Sequence, residues 1–266
     1  MEFTLTIISL LIFLGFISGA VSVMAGVGGG VFFVSIMTLM FFIPIDTAVS
    51  TSTFIILFSS LAGFISYLKQ KRTNFKLSTI FAAFSILGSI IASLIFSFIY
   101  IEATLLKILF ACTLLIAGLN MIYKTLKTRN NTKETDLQEL NFTLQDHDYK
   151  PNLKKSIPLF MLAGFTAYLL GIGGGIINTP VLNVVLKYPI HNSTAISTSI
   201  IFFTAIYNTI IKIFLGQIDY ITGLFIAIGS ILGSLLGAKV SKKIPRIYLQ
   251  FIVAIVLMGI AINMFF

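Results

Sequence analysis

Two glycine-rich stretches, Gly26-Val-Gly-Gly-Gly30 and Gly171-Ile-Gly-Gly-Gly175, could handle charge without carrying any. Each lies between apolar runs, where a helix would otherwise continue. Glycine backbone at such a break leaves N–H groups with no intrahelical acceptor. With the positive end of the helix that follows, those amides make an anion site. Each dipole end contributes about 0.3–1 kcal/mol when exposed and up to about 2 kcal/mol when partly buried. Two ends facing one ligand could hold a small anion without arginine, and no arginine lies inside an apolar run. The candidate amides are those of Gly28, Gly29, Gly30, Gly173, Gly174 and Gly175. A soluble phosphate loop fits less well, because neither stretch ends in Gly-Lys-Ser/Thr.

Hydroxyl and amide side chains cluster nearby. Ser52 and Thr53 belong to the run Ser50-Thr-Ser-Thr53, and Ser197 and Thr198 to Ser197-Thr-Ser199. Asn178 and Thr179 follow the second glycine stretch, and Asn208 lies further along. Singly, such groups bond back to their own helix or across to a neighbour. As a repeated cluster a few residues after Pro44 or Pro189, they read as helix N-caps and a polar lining that supplies hydrogen bonds to a solute. The lone glycines Gly88, Gly233 and Gly237 read as close helix contacts instead.

What is missing narrows the chemistry. Glu2, Asp46, Glu102 and Asp219 all sit at the ends of apolar runs, so the buried carboxylate that cation carriers and proton pumps use is absent. Asp46 and His191 occupy matching positions (Pro44-Ile-Asp46, Pro189-Ile-His191) and are candidates for gating or proton coupling, with helix capping as the plainer role of the histidine. The single cysteine, Cys112, permits no intrachain disulfide, and two histidines far apart make no multi-ligand metal site. No metal or cofactor is expected. An intramembrane enzyme would need a Ser–His, Asp–Asp or zinc constellation at depth, which the sequence does not offer.

These groups must be positioned by membrane helices. Hydrophobic residues make up 57% of the 266 and charged residues 10%, with a mean hydropathy of +1.02. Apolar runs near 20 residues long specify an all-α polytopic transmembrane bundle. The net charge of +9 reads as topogenic charge, not as a nucleic-acid surface. The N-terminus lacks a basic region and a small-residue cleavage site, and is expected to be retained.

Apolar segments run roughly 4–25, 30–43, 47–68, 77–100 and 103–123, then 156–170, 175–187, 194–215, 220–238 and 247–266. Residues 1–123 and 156–266 thus read as two membrane repeats joined by a polar linker, 124–155. A shift of 145 residues superposes the glycine stretches, Pro44 on Pro189, and Ile86-Leu-Gly-Ser89 on Ile231-Leu-Gly-Ser234. With small register changes Ala48-Val-Ser-Thr-Ser52 matches Ala195-Ile-Ser-Thr-Ser199, and Asn120-Met121 matches Asn263-Met264. If each half changes sides an odd number of times, most of the 18 Lys and Arg residues collect on one face with the linker. The positive-inside rule then favours an inverted repeat in a plasma (inner) membrane, with a cytoplasmic linker and both termini outside. The segments beside the glycines, and Ser156–Leu170, are too short to span about 30 Å of hydrocarbon. They either cross with a break at depth or form re-entrant hairpins. An inverted pair of such breaks meeting at the midplane is the binding-site architecture of secondary transporters. An anion-selective channel of the same architecture is the alternative.

On these residues the chain resembles the TauE/SafE-like sulfite exporter family of membrane permeases. The resemblance covers nearly the whole chain and rests on the duplicated AGVGGG and LGIGGGIINTPVL stretches, the Ala-[VI]-Ser-Thr-Ser element after each, and the ILGS element in each half. It implies transport of sulfur-containing anions such as sulfite, thiosulfate or sulfoacetate; the residues alone reach only "small anion". Family members are commonly drawn with eight spans, against ten segments counted here. Related thiosulfate importers are thought to use cysteines along the path, and Cys112 lies outside both glycine stretches. The expected partners are the solute and the bilayer, and the sequence specifies no oligomeric state.

Overall fold

The computed structural model describes residues 4–99, 101–128, 150–241 and 246–265, and those residues fold almost entirely as helix. In chain order the helices are α1 (Leu5–Ala25), α2 (Gly30–Ser35), α3 (Ile45–Lys69), α4 (Phe75–Phe98) and α5 (Ala103–Thr128). They are followed by α6 (Lys150–Leu170), α7 (Gly175–Pro180), α8 (Ile190–Phe214), α9 (Tyr220–Val240) and α10 (Arg246–Phe265). Helices α2 and α7 each run on into a π-helical turn, Ile36–Met40 and Val181–Val185. Eight long helices and two short ones reconcile the ten apolar segments with an eight-span drawing. Seven of the described helices are long and apolar enough to cross a membrane, and Gly30–Met40 and Gly175–Val185 are shorter apolar helices.

The duplication governs the boundaries. From Leu5 and Lys150 through Lys69 and Phe214, every helix start and end recurs 145 residues later. Local chemistry sets these limits. α1 begins where the Thr4 side chain accepts from the Ile7 amide and ends at Gly26, whose left-handed backbone (φ 66°) closes the helix. α4 and α9 start at Asn74 and Asp219, whose side chains accept from Lys76 and Thr222 amides.

Two expectations are corrected. α6 starts at Lys150, so its 21 residues are long enough to span; only its apolar run is short, because its first turns carry the exposed Lys154 and Lys155. The hydroxyl clusters are not N-caps. Pro44 and Pro189 occupy those positions, and the clusters lie one to two turns inside α3 and α8. Proline suits a helix start because its missing N–H would have no partner there. Residues 129–149, the centre of the linker, lie outside the described residues.

Packing uses small residues in pairs. Cβ atoms on Gly229 or Gly233 of α9 would overlap the Ile12 or Phe16 carbonyl of α1, and one on Gly88 of α4 would overlap the Met161 carbonyl of α6. Ser89 donates to the Gly164 carbonyl at 2.9 Å, and its counterpart Ser234 to the Gly19 carbonyl at 3.3 Å. Between the halves, Thr209 of α8 donates to the Thr53 carbonyl of α3 at 3.1 Å. Phe64 stacks on Phe202 with centroids 5.5 Å apart, and Thr73 lies 3.0 Å from Ser199. As residue numbers rise along α3 they fall along α8, so these counterpart helices run antiparallel.

Candidate functional site

The two glycine loops meet at the centre of the helix bundle. A Cβ built on Gly28 or Gly173 would stand 3.3 Å from the other's Cα, which only bare backbone accommodates comfortably. Gly26, Gly28 and Gly29, and their counterparts Gly171, Gly173 and Gly174, all have left-handed backbones, with φ between 64° and 102°. L side chains rarely adopt that region. Gly30 and Gly175 have ordinary helical backbone, but a Cβ on Gly30 would collide with the Gly171 carbonyl, and one on Gly175 with the Gly26 carbonyl. Close packing therefore accounts for glycine at these positions, beside whatever the amides bind.

Reciprocal hydrogen bonds clasp the crossing. Ser52 of α3 donates to the Gly171 carbonyl, and Ser197 of α8 to the Gly26 carbonyl, both at 2.8 Å. Thr179 adds a second donor to Gly26 at 2.8 Å. Three hydroxyls expected to face a solute therefore lie against loop carbonyls, and Ser52 shares its proton between Gly171 and the Val49 carbonyl of its own helix at 2.7 Å. Among the described residues, none of the amides of Gly28–Gly30 and Gly173–Gly175 finds a backbone acceptor. They stand at the starts of α2 and α7, which lead away from the crossing.

On each side of the crossing lies a small cleft. One is lined by Gly173, Thr53, Ala167, Thr204 and Asn208, the other by Gly28, Thr198, Ser22, Ser59 and Ser60, and Ile201 borders both. The duplication maps one set onto the other, Thr53 onto Thr198 and Asn208 onto Gly63. The first has room for about one water by the usual volume criterion, at about 10 Å³, and the second is closed, at about 0 Å³. Thr53 and Thr198 also donate to carbonyls of their own helices, Ser50 and Thr194. The Asn208 Oδ1 and both amide atoms of Asn178 are buried without a partner among the described residues. Buried polar groups normally have partners, and of these atoms only the Asn178 Nδ2 is a donor.

The family model for sulfite exporter TauE/SafE matches residues 11–264, nearly the whole chain. The chain belongs to the TauE/SafE sulfite exporter family. It is 30% identical to a probable membrane transporter protein of Methanocaldococcus jannaschii, over 95% of this chain and 93% of that one. It is 25% identical to the probable membrane transporter protein YunE of Bacillus subtilis, over 97% of both chains. YdhB of the same organism, also a probable membrane transporter protein, is 26% identical over 91% and 93%. No solved structure matches the chain. This TauE/SafE chain is a multi-pass membrane transporter.

Asp46 and His191 do not join the crossing. They sit in the first turns of α3 and α8, which run antiparallel, so the two lie toward opposite ends of the bundle. Asp46 is exposed and His191 half-buried. Sequence reasoning missed Arg72, which it grouped with the topogenic charges. Arg72 is buried in this family member, in the turn after α3. Its guanidinium donates to Ser241 Oγ and to the His191 carbonyl, each at 2.6 Å, and lies 4.7 Å over the Tyr67 ring. It thus ties α3 to the ends of α8 and α9. The signal available was its position, 145 residues before Gln217, which makes the matching tie: Ser50 donates to Gln217 Oε1 at 3.3 Å.

Proposed function

We propose that the chain is a secondary transporter of a small anion, with sulfite or another sulfur-containing oxyanion or organosulfonate as its substrate. The anion binds at the crossing of the two glycine loops. The observation that carries this reading is the meeting of two helix starts whose glycine amides have no backbone acceptor, with the buried Asn178 Nδ2 donor also without a partner. Gly28–Gly30 and Gly173–Gly175 supply backbone donors, Asn178 and Asn208 donate through Nδ2, and the Thr53 and Thr198 hydroxyls join by turning from the Ser50 and Thr194 carbonyls to the solute. Ser52, Ser197 and Thr179 hold the loops in place. The antiparallel pairing of α3 with α8 supports the inverted arrangement, with residues 1–123 and 156–266 as the two halves and the 124–155 linker on the cytoplasmic face of the inner membrane. Tight packing at the crossing favours a carrier over a continuously open channel.

Flux of sulfite, thiosulfate and sulfoacetate in proteoliposomes tests the proposal. Leucine at Gly29 or Gly174 would report on folding instead, because a Cβ there meets Ser22 Oγ at 2.7 Å or the Ala163 carbonyl at 2.6 Å on left-handed backbone. The informative variant is Thr53→Val with Thr198→Val, which keeps volume and removes one hydroxyl from each cleft. We expect flux of at least one of these anions in the native protein and a loss of about tenfold or more in the variant, the effect of removing one or two hydrogen bonds to a charge. Native protein that moves none of them, or equal flux in both proteins, overturns the site.

A further inference from the structure

We propose that the cavity beside the second glycine loop is the aqueous access vestibule of the transport path, and that the matching space in the first half is its closed counterpart. The inference rests on the transporter reading above and adds which half of the repeat is open. The cavity has a volume of about 390 Å³ and is bordered by Gly175, Ile176, Thr179, Val184, Ile190 and Asn120. That is room for about a dozen waters at their liquid volume, or for one small organic anion. Gly175 belongs to the loop crossing itself, so the cavity reaches from the candidate site outward along α7 and its π turn.

Translating these positions by 145 residues shows the asymmetry. Ile176 lines the cavity, whereas Val31 is fully buried; Thr179 lines it, whereas Val34 is fully buried; Ile190 lines it, whereas Ile45 is 7% exposed. Val184 is 63% exposed, while Leu39 is partly buried and packed on the core. Among the described residues, two halves built to one plan therefore differ: Ile176 and Thr179 border a cavity, and Val31 and Val34 are fully buried. The residues explain the bias. Where the first half has Phe33 and Val34, both fully buried, the second has Asn178 and Thr179. An aromatic and an aliphatic side chain seal a crevice by excluding water, whereas Thr179 and Asn120 place polar groups on the wall of the open one. The occupant is accordingly water and the transported anion. Exchange of the two states about the loop crossing would open the Val31–Val34 side and close the Ile176–Thr179 side, the alternation that repeat-built transporters use.

Cysteine accessibility tests this on the full-length protein with Cys112→Ser as background. Sealed vesicles carrying Ile176→Cys or Val31→Cys are exposed to a charged, membrane-impermeant thiol reagent on each face in turn. We expect Ile176→Cys to react from one face only, at least about tenfold faster than Val31→Cys from either, since the rate follows the population of the open state. Val184→Cys and Leu39→Cys form a second pair should the first express poorly, with the same order expected. Similar rates within both pairs would overturn the proposal. So would reaction of Ile176→Cys and Val184→Cys only with a lipid-soluble maleimide, which would make the cavity a lipid crevice. The labelling needs no substrate. Failure here with the Thr53/Thr198 effect intact would remove the vestibule and keep the anion site, and the reverse pattern would do the opposite.

Discussion

A single methyl group at Gly30 gives the sharpest measure of how tightly the two loops cross. In Gly30→Ala the new Cβ would overlap the Gly171 carbonyl and stand 2.8 Å from Ile172 Cα, all backbone atoms that cannot rotate aside. The loops must part, which stretches the Ser52 and Ser197 hydrogen bonds to Gly171 and Gly26. Overpacking of this kind costs about 1–3 kcal/mol, and a weakened buried hydrogen bond adds about 1 kcal/mol. Two other glycines separate the causes. Gly216 has φ 65° with open space around its would-be Cβ, so Gly216→Ala should cost only the left-handed strain, about 1–2 kcal/mol. Gly259 sits within α10 with nothing near it, so Gly259→Ala should gain up to about 1 kcal/mol of helix propensity. Thermal unfolding in detergent, read as apparent midpoints at one fixed scan rate, should rank the proteins Gly259→Ala, native, Gly216→Ala, Gly30→Ala from most to least stable. At about 2–4 °C per kcal/mol for a chain of this size, Gly30→Ala should fall well below the rest. A midpoint for Gly30→Ala equal to that of Gly259→Ala would refute the close crossing.

Ser52→Ala should lower the apparent midpoint more than Ser197→Ala, because Thr179 still donates to Gly26 while Gly171 loses its side-chain donor; a difference of about 1 kcal/mol is expected. Asn208→Ala should leave the midpoint within about 1 kcal/mol of native, since its Oδ1 has no partner to lose, yet reduce anion flux in proteoliposomes by about tenfold or more. Arg72→Met should cost about 2–4 kcal/mol through two lost charge-assisted hydrogen bonds. Arg72→Lys should recover only part of that, because an ammonium cannot reproduce the planar fork, and the unfolding midpoints of the two variants give the comparison.

Much of this architecture was legible in the residue order. The glycine stretches, Pro44 and Pro189, and the 145-residue shift place nearly every helix boundary, because helix stops and starts are local events set by a few residue types. The close contacts of Gly88 and Gly233 were legible for the same reason: small residues in apolar helices have few other uses. The Lys150 start of α6 was not, because its first turns are polar and hydropathy registers burial, not helicity. The roles of Ser52, Ser197 and Thr179 were also hidden. A hydroxyl near a loop can serve a solute or a carbonyl, and the choice depends on an approach between segments more than 100 residues apart. Arg72 was hidden by its neighbours, Lys69, Lys71 and Lys76, which make it look like one more topogenic charge. The difference in burial between Val34 and Thr179 was hardest to see, because the repeat invites equal treatment of matching positions.

The serine clasp also constrains how the chain can be made. The carbonyl of Gly26 waits for the Thr179 and Ser197 hydroxyls, the farther of them 171 positions downstream. At about 5–20 residues per second of synthesis, roughly 10–30 s pass before that donor emerges. During this interval the Gly26 carbonyl, at the break between α1 and α2, lacks both hydroxyl donors and must be sheltered by water or by the insertion machinery. Biogenesis of this protein is therefore a race between the ribosome and the lipid, decided only when the second half arrives.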